Sequence, residues 1–317
     1  MHFYASSFLD IDLLKDSVIK WNLEVFPLEV TSICYDIKQA ISPKFLIGEG
    51  NFSCKTEQRG ATPKGFRTFV IPAKDSVEYC WRGRKLRGNN LSLFPENGEL
   101  HSISNHTFHV YTVSFHQSLI NAECNILGSK RLDQSIKGEK VWEIEKHTMG
   151  LIRELARNII LQSSLNKYPY YLQQMLLREI LLIIRDSEER RPLPLQLKKH
   201  KILKKATDWM RERTIQPVPL SQLYQELSVS ERAAQIAFKN QFGLSLKTYY
   251  KNYRLMRIHQ ALKKENGENF ISDVASSFGY WHMGQFSKDY KNLIGELPST
   301  TLNKGNTNAW LKQQNGS

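Results

Sequence analysis

A short pattern is written twice near the C-terminal end of this chain, and few architectures are compatible with such a duplication. The first copy is residues 220–243, LSQLYQELSVSERAAQIAFKNQFG, and the second is residues 271–295, ISDVASSFGYWHMGQFSKDYKNLIG. Leu220, Leu223 and Leu227 match Ile271, Val274 and Phe278 at a spacing of 51. Ala234, Phe238, Lys239, Asn240 and Gly243 match Phe286, Tyr290, Lys291, Asn292 and Gly295 at a spacing of 52. The one-residue slip falls between the two blocks, at Ser228-Val229 in one copy and Gly279-Tyr280-Trp281 in the other. Helices keep their register and turns absorb insertions, so each copy is expected to be helix, tight turn, helix, over 220–242 and 271–294.

Charge follows the same division. Residues 1–190 hold 24 Lys and Arg against 22 Asp and Glu, and residues 191–317 hold 20 against 9, so +11 of the formal +13 lies in the part with the duplication. A basic module joined to a near-neutral one points to a polyanion partner for the former, although charge alone also suits a solvated surface. In a helix-turn-helix the second helix enters the major groove and its outward N-terminal face meets base edges. In copy one that face is Glu231, Arg232, Gln235, Ile236 and Lys239. Arg232 can donate a bidentate pair to guanine, Gln235 can bridge adenine N6 and N7, and Ile236 can touch a thymine methyl. Lys239 lies a turn later, where phosphate is the expected contact. In copy two the face is His282, Met283, Gly284, Gln285, Lys288 and Lys291, with Gln285 and Lys288 the base-reading candidates and Gly284 allowing close approach. Ser230 is the expected N-cap of the second helix in copy one, and His282 a weaker one in copy two.

Residues 245–262 connect the copies without Gly or Pro, and Ser245 can cap their start. A helix of about 18 residues spans roughly 27 Å, enough to hold two reading helices about one duplex turn apart on one side of DNA. At this point the sequence GLSLKTYYKNYRLMRIHQAL followed by ISDVASSFGYWHMGQFSKDYKNLIGELPSTTL resembles the C-terminal domain of the AraC/XylS family of bacterial transcription regulators. The likeness covers about a third of the chain, with Gly295 and Pro298 forming the family's G-x-x-P ending. It implies a sequence-specific regulator of promoter DNA, an activator, working with RNA polymerase. Its base-contacting positions map onto Arg232, Gln235 and Ile236, and onto Met283, Gly284, Gln285 and Lys288. The chain departs from the family pattern at Ile236, where a basic residue is common, and at Ala234, where Leu is usual. More of the base reading is therefore expected from copy two.

Ahead of this module the fold class is expected to be α+β in two domains, the first β-rich with trailing helices. Short β-favouring runs at 66–71, 91–94 and 108–115, broken by turn residues, read as a small antiparallel sandwich or barrel. The resemblance implies a cupin-like barrel that binds an effector or mediates dimerisation, over residues 1–144. A short amphipathic helix is expected at 11–21. Helical spacing returns at Met149, Ile152, Leu155, Ile159 and Ile160, and at Leu172, Met175, Leu176, Ile180 and Ile183. Tyr168-Pro169 divides these, giving a hairpin over 145–187 that either packs on the β domain or presents a homodimer seam. Residues 188–198, with Pro192 and Pro194, read as a linker. The DNA-binding domain is expected over 199–302, opening with a helix near 199–213 whose Ile202, Leu203, Ala206, Trp209 and Met210 share a face, and a polar tail over 303–317.

Other chemistries leave little trace. Cys34, Cys54, Cys80 and Cys124 form no CxxC pair, and with no cationic-then-apolar leader at Met1 the expectation is a cytoplasmic protein with reduced thiols. No apolar run approaches the roughly 20 residues of a membrane span. His101, His106, His109 and His116 crowd one segment, but no H-x-H box with its Glu accompanies them, so no metal and no cofactor are expected. The basic run Trp81–Arg87 suits an anionic effector or, more simply, a solvated turn. No enzyme is expected. A DNA-repair enzyme with a similar module would need a Pro-Cys-His-Arg nucleophile that none of the four cysteines provides. An architectural DNA-binding protein would need neither the neutral β domain nor groove-reading side chains.

Overall fold

A computed structural model describes residues 1–8, 14, 17–29, 35–94, 98–128, 132, 136, 138–186, 193, 197–264 and 270–304, the side chains of 197–199 excepted. The chain divides into two compact units, Met1–Pro27 with Ile33–Gln196, and Leu197–Ser317 with Leu28–Ser32. Of the expected helix at 11–21, residues 11–13, 15 and 16 lie outside the described residues. Residues 14 and 17 are helical, but 18–20 form a bend and turn, with Lys20 in the left-handed region at φ 66°, so the helix does not reach Trp21. Most of the linker and the tail beyond 304 also lie outside the described residues.

The first unit is built from β1 (His2–Phe8), β2 (Asn22–Pro27), β3 (Tyr35–Ile41), β4 (Phe45–Phe52), β5 (Thr56–Ala61), β6 (Phe66–Pro72), β7 (Glu78–Trp81), β8 (Arg84–Arg87), β9 (Asn90–Phe94), β10 (Glu99–Ser104), β11 (Phe108–His116) and β12 (Lys140–Glu143). One sheet runs β1-β3-β4-β11-β6-β9-β12 and the other β2-β5-β10-β7-β8. Every pairing among them is antiparallel. The sheets face one another, as Trp81 on β7 and Phe94 on β9 show with ring centroids 4.4 Å apart. This is an antiparallel double sheet, the sandwich alternative of the sequence reading, open at its edges rather than closed into the cupin-like barrel that the resemblance implies.

Alternation along the strands explains why the larger sheet is apolar on both faces. On β11, Val110 and Thr112 look into the space between the sheets. Tyr111, Val113 and Phe115 join the core built with α2 (Lys146–Ser164) and α3 (Tyr170–Asp186). These two helices are the expected hairpin. Leu177, Leu181 and Ile184, which lie off the first apolar stripe of α3, are buried in that same core. The breadth of the apolar surface is thus used inside the unit. Arg153 of α2 fastens the helix to the strands by donating to the Pro72 and Gly88 carbonyls at 2.7 and 2.6 Å and to Asp75 at 2.6 Å.

The sequence predicts no strand at β1, β2 or β12 and no helix at α1. The strand form of β1 rests on pairing with β3 along all seven residues. α1 (Gln117–Ile126) buries Ile120, Glu123 and Cys124. Its stripe is masked by Glu123, which accepts from Arg178 Nε at 2.5 Å. β12 is four residues long and is defined by its partner β9.

Three of the histidines that raised a metal question serve separate ends. His101 Nε2 meets Glu57 at 2.8 Å, His109 Nε2 meets Glu49 at 2.8 Å, and His116 Nδ1 accepts from the Ser118 amide to cap α1. In the basic hairpin Trp81 is fully buried, Arg82 pairs with Glu99 and Glu139, and Lys85 with Glu78. Among the described residues, no helix is long and apolar enough to cross a membrane.

Candidate nucleic-acid interface

The second unit opens with α4 (Leu197–Glu212), two residues ahead of the expected domain start. Leu203, Ala206, Trp209 and Met210 are buried as expected, but Ile202 is 46% exposed. About 100° of helical rotation separates it from Leu203, which puts it at the rim of the buried stripe. Copy one is α5 (Leu220–Glu226) and α6 (Glu231–Phe242), copy two is α8 (Ile271–Ser277) and α9 (Met283–Ile294), and α7 (Leu246–Lys264) joins them. A last helix covers 298–304, so helical structure runs two residues into the expected polar tail.

The turns repeat in detail. Each passes through a left-handed residue at the matched position, Ser228 at φ 51° and Gly279 at φ 79°. In each, the following amide reaches back over the helix end, Val229 to the Tyr224 carbonyl and Tyr280 to that of Ala275, both at 3.1 Å. The register of 51 therefore survives through Val229 and Tyr280, and the inserted residue is Trp281. It is 76% exposed, just ahead of α9. Both second helices end on a left-handed glycine, Gly243 and Gly295, whose amides bond the Lys239 and Lys291 carbonyls at 2.9 Å. At the other end Ser230 caps α6 by accepting from the Ala233 amide, while His282 makes no side-chain cap to α9.

Helix α7 is the common support. Ser245 caps it by accepting from the Thr248 amide at 3.0 Å. Tyr249, Tyr253, Met256 and Leu262, whose spacing predicts a helical face, are all buried. Copy one leans on it through Phe238 and Phe242, whose rings lie 5.7 and 4.9 Å from that of Tyr249. Copy two is held by Arg254, whose guanidinium lies over Tyr250 and Tyr280 at 5.0 and 5.1 Å and donates to the Phe278 carbonyl at 3.2 Å. Burial pushes the Tyr280 phenol up to about 12, so it stays neutral. Lys251 pairs with Asp289 of α9 at 3.1 Å, and His259 Nδ1 meets the Tyr290 hydroxyl at 2.8 Å.

What remains outward is the sequence-predicted set, with one exception. Arg232, Ile236 and Lys239 are exposed on α6. His282, Gly284, Gln285, Lys288 and Lys291 are exposed at α9, and Met283 is half-buried. Gln235 is the exception. Its amide donates to the Tyr224 hydroxyl at 3.4 Å and its carbonyl accepts from the Leu246 amide at 3.3 Å. The side chain thus ties α6 to α5 and to the start of α7. Trp281, which the sequence marks only as a turn residue, adds a large apolar surface beside the reading face of copy two.

Known proteins resemble this part of the chain. A family described as "Helix-turn-helix domain" matches residues 223–304. The probable thc operon regulatory protein of Rhodococcus erythropolis is 26% identical over 102 residues, 32% of this chain and 31% of that protein. XylDLEGF operon transcriptional activator 3 of Pseudomonas putida is 27% identical over 101 residues, 32% of this chain and 30% of that protein. The chain therefore spans about a third of the length of the curated relatives it matches. The crystal structure of the AraC-like transcriptional activator CuxR aligns over 80% of this chain and 94% of that one, with a TM-score of 0.44 and 8% identity. With two helix-turn-helix units on one connecting helix, the C-terminal unit is a helix-turn-helix domain of the kind that matches residues 223–304.

Proposed function

We propose that this chain is a sequence-specific DNA-binding transcription regulator, an activator, modulated through its β-rich unit. One observation carries the reading: two helix-turn-helix units rest on a single helix of 19 residues, with polar and basic second-helix faces left outward. A rod of about 28 Å suits two reading helices set into successive major grooves of one duplex. Arg232 and Ile236 read bases from copy one. His282, Met283, Gly284, Gln285 and Lys288 do so from copy two, with Trp281 packing on sugars or a thymine methyl beside them. Lys239 and Lys291 hold phosphates. Gln235 is a positioning residue, because its hydrogen bonds are spent within the unit.

The partners follow from that role. Double-stranded promoter DNA is the ligand of the second unit. The relatives named as transcriptional activators support activation, and with it contact to RNA polymerase. Residues 1–144 are the regulatory part that takes an effector, 145–187 the hairpin through which two copies dimerise, and 188–198 the linker. Exposed Leu161, Leu165, Tyr168 and Tyr171 around the α2–α3 turn support the dimer.

Footprinting of the full chain on fragments flanking its own gene tests the reading. Protection of two adjacent major-groove segments on one face is expected, resisting competition by a thousandfold excess of bulk DNA. Equal competition by bulk DNA would replace the regulator with an architectural protein.

A further inference from the structure

Between the two sheets of the first unit lies a cavity of about 90 Å³ with walls from both. On the larger sheet its floor is opened by Gly48 and Gly50 of β4, which contribute no side chains. On the smaller sheet, Gln58, Ser102 and Trp81 stand opposite one another in register on β5, β10 and β7. Cross-strand partners share a face, and all three residues line the cavity.

Trp81 is fully buried and Ser102 is 4% exposed, yet neither the indole Nε1–H nor the Ser102 Oγ has a hydrogen-bond partner. Gln58, by contrast, donates to Thr56 Oγ1 at 3.1 Å. Buried polar groups are nearly always satisfied, so two adjacent unpaired ones on the wall of one cavity mark a place built to receive something. The groups also define what it receives. An indole N–H only donates, and a hydroxyl can donate beside it, so the complement is an acceptor oxygen.

Charge narrows the class further. Among the described residues lining the cavity, Glu49 is the one charged group, and no Lys, Arg or His accompanies it. Glu49 is already paired with Lys38 at 2.9 Å and His109 at 2.8 Å. It sits between Gly48 and Gly50 and opposite Tyr111, so its carboxylate points to the other face of the sheet and no charged side chain of the described residues enters the cavity. An anion or a cation would be desolvated there with no counter-charge to meet it. The rest of the wall is apolar, from Val70, Phe94 and Phe108 among others. A dry cavity of about 150 Å³ accommodates benzene, so this smaller one takes a ligand of at most about six non-hydrogen atoms.

We propose that this cavity binds a small neutral molecule with an apolar body and one hydrogen-bond-accepting oxygen, such as a ketone or cyclic ether, held by Trp81 Nε1 and Ser102 Oγ. The proposal deepens the regulator reading and rests on it only in calling this ligand the effector.

Calorimetric titration of the full chain with cyclopentanone, cyclopentane and butyrate tests it. Cyclopentanone is expected to bind at least about tenfold more tightly than cyclopentane, and butyrate to give no binding. Ser102→Ala and Trp81→Phe should each weaken cyclopentanone about five- to tenfold and leave cyclopentane unchanged. Should Trp81→Phe fail to fold, Gly50→Ala serves instead. Its added Cβ would meet Ile37 and Phe52 at 3.7–4.0 Å, ordinary contact, while narrowing the cavity, so both neutral probes should weaken together. Equal affinity for ketone and hydrocarbon, ketone binding indifferent to Ser102→Ala, butyrate binding as tight as the ketone, or no binding by any probe would each overturn the proposal. Promoter-fragment retention without ligand is measured on the same preparations. Loss of DNA preference with ketone binding intact removes the regulator and spares the site, and the reverse removes the site alone.

Discussion

Two glutamines of the second helices carry different assignments, and single substitutions separate them. Gln285 is exposed on α9 with its amide free to face a base edge, so Gln285→Ala should cost about 1–3 kcal/mol on the cognate site and relax its sequence preference. Gln235 bonds Tyr224 and Leu246 instead. Gln235→Ala should lower stability by about 1 kcal/mol in denaturant melts and leave the preference unchanged. Binding-site selection on the two variants decides the matter, and a shifted preference for Gln235→Ala would return that residue to the reading face. The matched turn residues give a second contrast. Ser228 holds φ 51°, a conformation that costs a side-chain-bearing residue about 1–2 kcal/mol, so Ser228→Gly should stabilise the unit after the flexibility of glycine offsets part of that gain. Gly279→Ala should destabilise by about 2 kcal/mol or more, since its Cβ would sit 2.4 Å from Pro217 Cγ in addition to the φ penalty. Thermal melts giving the two substitutions the same sign would contradict the turn geometry.

Under the proposed function, helix α7 turns two helix-turn-helix units into one reader, and DNA spacing is the test of it. Inserting five base pairs between the two protected segments rotates one half-site by about half a turn, and ten restores the face but adds about 34 Å. A flexible connection would tolerate the second insertion. A packed helix capped by Ser245 should tolerate neither, and gel-shift affinity should fall at least tenfold in both cases. A ten-base-pair insertion bound at full strength would remove α7 as a rigid spacer. The same helix shows why the sequence was informative here: the duplication, the uninterrupted run at 245–262 and the cap residue are all local signals. The strands at 66–71, 91–94 and 108–115 were readable for the same reason. β1, α1 and β12 were not, because β1 and β12 are defined by partners far along the chain and α1 carries Glu123 on its buried face. The two hydrogen bonds of Gln235 were not legible for a related cause. Its partners lie across one turn and at the start of the next helix, and periodicity reports neither.

The uneven charge of the chain has a measurable consequence. Net charge is concentrated in residues 191–317, whereas basic side chains of the first unit are matched locally, Arg82 by Glu99 and Glu139 and Lys85 by Glu78. Each phosphate neutralised releases counterions and adds about 0.9 to the slope of log affinity against log salt. Removing a phosphate-binding cation should therefore flatten that slope by about one without altering which sequence is preferred. Lys239→Ala and Lys291→Ala are expected to do this, each weakening cognate and random duplexes alike. Lys85→Ala should change neither slope nor affinity, although it removes the same formal charge, because that lysine belongs to a hairpin with its own carboxylates. Equal flattening by Lys85→Ala and Lys239→Ala would mean that DNA feels only the total charge of the chain, and the assignment of the second unit as its sole docking surface would fall with it.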